Sequence, residues 1–321
     1  MKTLVGSAAI AIGSLFLGLS HAQNWPSKPI RFVVPFPAGG GADLVVRSMA
    51  PRLTERLGQQ VFVDNRPGAS GNIGADIIAK APPDGHTIGV ATTATLCVNP
   101  TLKARMPFDA VKDLVPVSML ASIPFFLVAN SAFPANSTRE MIALAKANPG
   151  KLAYGHAGNG TLLHLSGELL KIMAGIDLLA VPYKGSVPAV ADVVGGQIPL
   201  VIAELPAVLT QIKAGKLKPL GVTTAHRVAA APEIPTLAES GVPGYDTMGW
   251  FGVVAPAGTP VEIIGRWNAE IAGVLNTAEI RDRLSATGAE PAPSSPEQFG
   301  AIIKAETAKW ARVIKSGVKV E

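Results

Sequence analysis

Two short glycine-rich segments carry the most legible chemistry in this sequence. Pro37-Ala38-Gly39-Gly40-Gly41-Ala42-Asp43 follows the apolar run Ile30 to Phe36 and precedes a helical pattern from Leu44. Gly155-His156-Ala157-Gly158-Asn159-Gly160-Thr161 follows Leu152-Ala153-Tyr154 and precedes a second helical pattern from Leu162. Each reads as strand, glycine loop and helix start. Glycine lets backbone N–H groups come close to a ligand, and the first helical turn leaves its N–H donors unpaired. The helix dipole adds partial positive charge at the same place, so each junction is a candidate anion site. Two of them suggest a small acidic molecule gripped from two sides.

Other polar residues fall beside these junctions. Asp43 sits in the first turn after the glycines, where capping is its ordinary role and ligand contact the alternative. His164 lies one turn into the second helix, on a face shared with Glu168 and Lys171. It is read as a loop-bonded or solvent-facing histidine or as a ligand contact, with acid–base catalysis the weakest option. His156, inside the glycine loop, is expected to line a cleft, whereas His86 and His226 stand alone and are expected at the surface. Thr92, Thr93 and Thr95 follow an apolar strand, and open α/β sheets bind ligands at that end of a strand. Glu204 has the same placement after Ile198 to Ala203 and would repel a carboxylate unless it meets an amine, a hydroxyl or a bridging water. Cys97 is the only cysteine, so no internal disulfide forms, and its apolar neighbours make it a small core residue.

Known catalytic and nucleotide patterns fail at identifiable positions. Leu44 stands where a dinucleotide fingerprint needs its third glycine, and Thr161 where a phosphate loop needs lysine. Gly68-Ala69-Ser70-Gly71-Asn72 lacks the last glycine of a nucleophile elbow. No H-E-x-x-H or paired-cysteine spacing occurs, so no metal or other cofactor is expected.

The positioning elements alternate strand and helix almost throughout, which predicts an α/β fold with a mixed sheet in each of two lobes. Val46, Ala50, Leu53 and Leu57 mark a first helix, bent by Pro51. Gln60–Asp64 and Thr87–Ala91 are strands. Val117–Ile123 and Phe125–Ala129 form a long extended stretch that passes between lobes, and Trp250–Ala255 crosses back. Ser137 with Glu140 reads as a capping box, Thr259-Pro260-Val261-Glu262 as a helix start, and Ser295-Pro296-Glu297-Gln298 as another before a last helix ending near Gly317. Leu162, Leu165, Leu169, Ile172 and Ile176 are expected on the buried face of the second-junction helix. The expected division is residues 23–124 with 249–321 as a discontinuous first lobe, and 125–248 as the second.

The 321 residues are 48% hydrophobic and 16% charged, which suits packed globular lobes. Aromatics are 5%, and the formal charge of +5 is scattered, without the basic cluster or stacking platform of a nucleic-acid binder. Lys2, the apolar run Leu4 to Leu19 and Ser20-His21-Ala22 read as a signal peptide of residues 1–22, cleaved near Ala22. Export to a bacterial periplasm follows, with no segment beyond it long enough to span a bilayer.

Several segments together resemble the Bug family of extracytoplasmic solute receptors, which serve tripartite tricarboxylate transporters. They include Trp25-Pro26-Ser27-Lys28-Pro29-Ile30-Arg31, Val34-Pro35-Phe36-Pro37-Ala38-Gly39-Gly40, Asp64-Asn65-Arg66-Pro67-Gly68-Ala69 and Pro83-Asp84-Gly85-His86-Thr87. Ala147-Asn148-Pro149-Gly150-Lys151-Leu152, Val181-Pro182-Tyr183-Lys184-Gly185, Gly215-Lys216-Leu217, Ile234-Pro235-Thr236 and Ala255-Pro256-Ala257-Gly258-Thr259-Pro260 follow in order. The resemblance implies a two-lobed Venus-flytrap receptor, not an enzyme, that holds a small organic acid and delivers it to integral membrane subunits as a monomer. By the same resemblance the contacts are Pro37, Ala38, Gly39, Gly40 and Gly41; Thr92, Thr93 and Ala94; Gly158, Asn159, Gly160, Thr161 and His164; with Tyr183 and Lys184 nearby. His156 departs from the family's usual small residue, and Glu204 from its more usual aspartate. The alternatives are an exported enzyme using His164 or Glu204 as base, and a receptor that reports to a sensor protein.

Overall fold

The computed structural model describes residues 25–103, 105–286 and 288–316. The expected signal peptide, its cleavage point at Ala22 and the expected stop at Gly317 lie outside the described residues.

Apolar runs bounded by turn residues pair first in parallel. Strand β1 (Ile30–Val34) lies between β2 (Val61–Asn65) and β3 (Thr87–Thr92), with α1 (Gly41–Leu57) and α2 (Asn72–Ala79) as the connecting helices. Pro51 falls inside α1, which runs through it as one helix. Strand β4 (Leu114–Asn130) is 17 residues long and does what a single lobe cannot use. Its first part, Leu114 to Pro124, pairs antiparallel with β9 (Met248–Pro256), which also pairs antiparallel with β3. From Phe125 onward it pairs instead with β7 (Leu200–Glu204) and β8 (Leu217–Val222). Strand β5 (Ala153–His156) runs parallel to β6 (Leu179–Pro182) and to β7. The molecule is thus two mixed sheets, β2-β1-β3-β9-β4 and β8-β4-β7-β5-β6, threaded by one strand, with the short β10 (Glu290–Pro291) added to β4.

Each sheet is packed on its own apolar centre. Phe32, Leu53 and Trp267 are fully buried around the first, and Tyr154, Leu200 and Leu237 around the second. A side chain of this size contributes roughly 1.5–3 kcal/mol when removed from water. Helix α5 (Leu162–Ala174) serves both lobes. Leu163 and Leu170 join the second core, while Leu165 packs in a cluster with Trp310 of α10 (Pro296–Lys315). This double duty rotates the expected stripe: Ile172 is half exposed, and His164 and Glu168 are buried in its place.

Local chemistry explains further departures. Ser295 forms the full reciprocal box with Gln298, but the Glu140 carboxylate reaches the N–H of Asn136 (2.7 Å), not that of the cap Ser137. The Thr259 hydroxyl donates to the Pro256 carbonyl (2.8 Å), leaving Pro260 as the cap of α8 (Val261–Leu275). His86 is buried, not superficial, because its Nε2 accepts from the Ser27 N–H (3.1 Å) and its ring meets Trp25 edge-on. His226 is exposed.

Candidate functional site: the cleft between the sheets

The C-terminal ends of strands from both sheets converge on one cavity of about 330 Å³. Thr92 and Ala94 enter from the first sheet, and Asn159, Gly160, Thr161 and Leu162 from the second. Ile123 and Phe125 of β4, with Trp250 and Phe251 of β9, form its apolar wall. A second cavity of about 510 Å³ shares Ile123, Glu204 and Phe251 with it and is lined by Gly41 at the start of α1. The two glycine junctions therefore open onto adjoining halves of one cleft. A cavity of about 610 Å³ beside Lys171 and Asp177, and one of about 440 Å³ between α5 and α10, contain strand ends from at most one sheet. Ligands of open α/β sheets sit at such edges, so the cleft is the candidate site.

At the second junction the strand runs two residues further than the sequence suggests, taking Gly155 and His156 into β5. His156 is therefore fully buried behind the loop and does not line the cleft. Its Nδ1 faces the Gly158 carbonyl at 3.0 Å and the Gly158 N–H at 3.2 Å, and its Nε2 has no partner. The ring stacks on His164, with centroids 4.3 Å apart. Burial first, then His164, lowers the His156 pKa to about 4. His164 is also buried and also held neutral, chiefly by burial, against the opposing pull of Glu168 and with Lys171 adding to the effect. Its Nδ1 accepts from the Gly160 N–H (3.2 Å), which leaves the Nε2 proton facing Glu168 at 3.9 Å. Behind both, the Tyr154 hydroxyl donates to Glu168 (2.9 Å). Thr161 caps α5, its Oγ1 accepting from His164 N–H (3.3 Å) and donating to Gly158 O (2.7 Å). Gly158 (φ 125°) and Gly160 (φ 73°) supply backbone angles that side-chain-bearing residues resist. The histidines thus brace the loop, and the N–H groups of Leu162 and Leu163 remain at the helix start without an intrahelical acceptor.

The first junction is built differently. Asp43 is buried and accepts from the N–H of Gly39 (2.8 Å), from Arg47 Nε (2.9 Å) and from Asn65 Nδ2 (2.9 Å). Burial opposes its ionisation, but these donors outweigh it and hold the carboxyl below its ordinary range. The Gly40 N–H donates to Pro37 O (3.3 Å), and Gly40 caps α1 with no side-chain bond. Pro37, Ala38, Gly39 and Gly40 are absent from either cavity wall; only Gly41 reaches it, against the Phe251 ring.

The remaining candidates divide. Thr92 lines the cleft in a mutual clasp with Thr95: the Thr92 N–H donates to Thr95 Oγ1 (2.8 Å), and Thr95 Oγ1 donates to Thr92 O (2.9 Å). The two hydroxyls also lie 3.3 Å apart, so with the Thr95 proton committed the Thr92 hydroxyl donates to Thr95 Oγ1, while its oxygen accepts from the Thr95 N–H (3.3 Å). Thr93 is buried, its hydroxyl accepting from the Trp250 N–H (3.2 Å), and is not on the lining. Tyr183 and Lys184 also lie off the lining, Tyr183 donating to Asp192 (2.7 Å). Glu204, half-buried at the end of β7, lines both cavities and accepts from the Ser186 hydroxyl (2.6 Å). Cys97 is buried, its thiol pushed up to about 12 by burial. Among the described residues no cluster of His, Cys, Asp and Glu could hold a metal ion.

The family model described as "Tripartite tricarboxylate transporter family receptor" matches residues 45–318. This chain belongs to that family. The receptor is 38% identical to Protein BugT of Bordetella pertussis over 94% of this chain and 93% of that one. Among solved structures it is similar to R. palustris Rpa4515 with adipate (TM-score 0.77, 40% identity, 91% of this chain and 97% of that one). It is also similar to MatC of Rhodopseudomonas palustris with bound malate (TM-score 0.73, 30% identity, 90% and 100%).

The receptor's cleft also holds residues that the sequence reading left out. Ser70 reaches the wall through a loop in which it and Ala69 take positive φ (57° and 48°). Its position just past the end of β2 was the available signal. Asn99 lines the cleft beyond a single π-helical turn, Ala94–Val98, and bonds to Asn72 (2.7 Å). Such turns recur at functional sites. Trp250 and Phe251 carried no polar signature and only the antiparallel return of β9 brings them in.

Proposed function

We propose that the receptor captures a small molecule bearing a carboxylate between its lobes and delivers it to the integral membrane subunits of a tripartite transporter. The observation that carries this reading is the start of α5, with Leu162 and Leu163 N–H groups and the Thr161 cap at a cleft that, among the described residues, no lysine, arginine or histidine lines. A carboxylate there meets neutral donors and the helix dipole, which contributes roughly 0.3–1 kcal/mol before hydrogen bonds are counted. Thr92, clasped to Thr95, lines the facing sheet. Adipate in Rpa4515 and malate in MatC support a ligand of this class.

The lobes divide at residues 124/125 and 248/249, where β4 changes partners and β9 begins, and closure is a hinge motion about these strands. Residues 1–22 direct export to the periplasm, and the mature chain acts as a monomer without turnover. His164 is unsuited to be a base, since its Nδ1 is engaged by Gly160 and the residue is absent from the cleft wall. A thermal-shift screen of small organic acids tests the reading, because a ligand that binds only the folded state adds about 2.7 kcal/mol at a hundredfold excess over Kd. Stabilisation by at least one carboxylate, lost in Gly160→Val, is the expected result. Product formation from a bound acid, lost in His164→Ala, would favour an exported enzyme instead.

A further inference from the structure

Behind the second junction lies a set of ionisable groups that do not touch the cleft. A second proton on His164 has one place to go. Nε2 already carries one, so the other must enter at Nδ1, the atom that accepts from the Gly160 N–H (3.2 Å). Two donors would then face each other, and Gly160 would lose its acceptor. A neutral His164 and a braced loop are therefore the same state.

The groups that face this ring come from more than its own helix. On α5, the Glu168 carboxylate stands 3.9 Å from Nε2, beyond hydrogen-bond range but close enough to act as a charge. Lys171 Nζ meets both oxygens of that carboxylate at 3.0 Å, and the Tyr154 hydroxyl of β5 donates to it (2.9 Å). His156 of β5 stacks on the ring and stays uncharged down to about pH 4. Asp177, ahead of β6, shares with His164, Glu168 and Lys171 the wall of the cavity of about 610 Å³ on the outer face of the second lobe. Among the described residues, no group of the first lobe lies on that wall. Burial opposes the second proton most, Glu168 favours it and Lys171 disfavours it. Asn159 lines this cavity and the cleft alike, so the glycine loop is the partition between them.

We infer that Glu168 and Lys171 are positioning residues that set when His164 takes its second proton, and that this proton frees Gly160 and releases the ligand. The inference rests on the start of α5 as the seat of a carboxylate. The proton arrives from the outer cavity, so a molecule in the cleft does not block it. Affinity is present while the ring is neutral and falls as pH drops through the ring's pKa in the free receptor, at most about tenfold per pH unit for one proton. The bound anion gains little from the new charge, because Glu168 lies beside the ring and compensates it.

The test has two arms. In the ligand-free receptor with isotope-labelled histidine, nitrogen NMR should find His164 Nδ1 unprotonated at pH 7.5, and the Gly160 amide signal should move with the ring's titration. A proton on Nδ1 at pH 7.5, or a Gly160 amide indifferent to the titration, would overturn the inference without any variant. In the second arm, adipate and malate are titrated by calorimetry between pH 7.5 and 5, where the acids' own ionisation cancels between proteins at each pH. Lys171→Met leaves Glu168 unopposed and should move the loss of affinity to higher pH. Glu168→Gln removes the attracting charge and should move it to lower pH. The ratio of Kd at pH 5 to Kd at pH 7.5 should differ threefold or more between the two variants, with the unaltered receptor between them. Shifts in the same direction, or equal ratios in all three proteins, would sink the idea, since a general loss of stability cannot move the two variants apart. If neither acid binds at pH 7.5, carboxylate capture loses its support and the Gly160 amide alone decides the role of the proton.

Discussion

The two glycine junctions share a sequence pattern and differ in what stands behind them. At the first, a charged residue closes the loop on itself: Asp43 takes the Gly39 N–H, and Gly40 turns back to Pro37. At the second, two neutral rings do the bracing, His156 against Gly158 and His164 against Gly160, and the helix start is delivered to the cleft. A glycine-rich strand-to-helix turn therefore marks a place where backbone donors could be offered. Whether they are offered depends on which of them the protein uses internally. The largest expected contrast follows directly. Gly160→Val puts a β-branched residue at φ 73° with its Cβ 3.2 Å from Leu102, and should abolish measurable binding in a folded protein. Gly40→Val keeps an ordinary φ of −76° off the cavity wall, with its Cβ 3.3 Å from the Pro37 carbonyl oxygen, so it should cost some stability while the folded protein's affinity changes less than threefold. Equal losses in the two variants, measured by calorimetry with far-UV circular dichroism as the fold control, would erase the distinction.

Acid separates the junctions next. The folded pKa of His156 lies near 4, lowered by burial and then by His164, whereas an unfolded histidine titrates near 6.5. Between those values the unfolded chain binds more protons, so stability present above about pH 6.5 is lost as pH falls toward 4. The full difference for this one ring is about 3 kcal/mol. Asp43, with a lowered pKa, contributes above the ordinary carboxyl value of 3.8, so its share is lost only at lower pH. Urea unfolding between pH 7.5 and 4.5 should show stability falling steadily with acid, and His156→Gln should flatten that slope. A slope unaffected by the substitution would mean the stacked pair does not govern the second loop's stability.

Removing the brace of the first junction should harm the fold more than the site. Asp43→Ala takes an acceptor from three donors, leaving Arg47 its bond to Asn65 Oδ1 (2.8 Å) and Asn65 its bond to Phe36 O (3.0 Å), at a cost of about 2 kcal/mol. Affinity measured well below the unfolding temperature should stay within threefold of the unaltered receptor. A tenfold loss of affinity would instead make the first loop part of the ligand's grip.

How much of this was legible depended on whether the signal was local. Alternation of apolar runs with helix starts located nearly every strand and helix, and the long run through Ile123 and Phe125 announced the crossing strand. Ser295 was readable as a cap because its partner lies three residues away. What failed was competition for the same atom, local or distant. Thr259 had a carbonyl to bond three residues back, Glu140 took the Asn136 N–H one residue beyond the cap, and α5 turned its stripe because α10 covers it from the other lobe. His156 was misplaced into the loop because a glycine before it looked like a break, while pairing with β6 carried the strand through. Phe125 and Phe251 belong to the cleft only through strand pairing, which their residue types do not reveal.

The smallest expected contrast concerns the caps. Thr161 ties the second loop together with one hydroxyl, donating to Gly158 and accepting from the His164 N–H, whereas Gly40 offers the first helix nothing from a side chain. Thr161→Ala should cost about 1 kcal/mol of stability, the ordinary value of a threonine cap. It should also weaken binding severalfold, because Gly158 loses the contact that fixes its carbonyl beside the His156 ring. Gly40→Ser separates the two effects: its φ of −76° and ψ of 165° suit a capping serine while its Cβ meets the Pro37 carbonyl oxygen at 3.3 Å, so the net change in stability should be within a few tenths of a kcal/mol with affinity unchanged. Denaturation midpoints and calorimetric Kd values for the pair separate the two roles. If Thr161→Ala loses stability without losing affinity, the second cap is as remote from the ligand as the first, and the N–H groups of Leu162 and Leu163 must be held in place by the histidines alone.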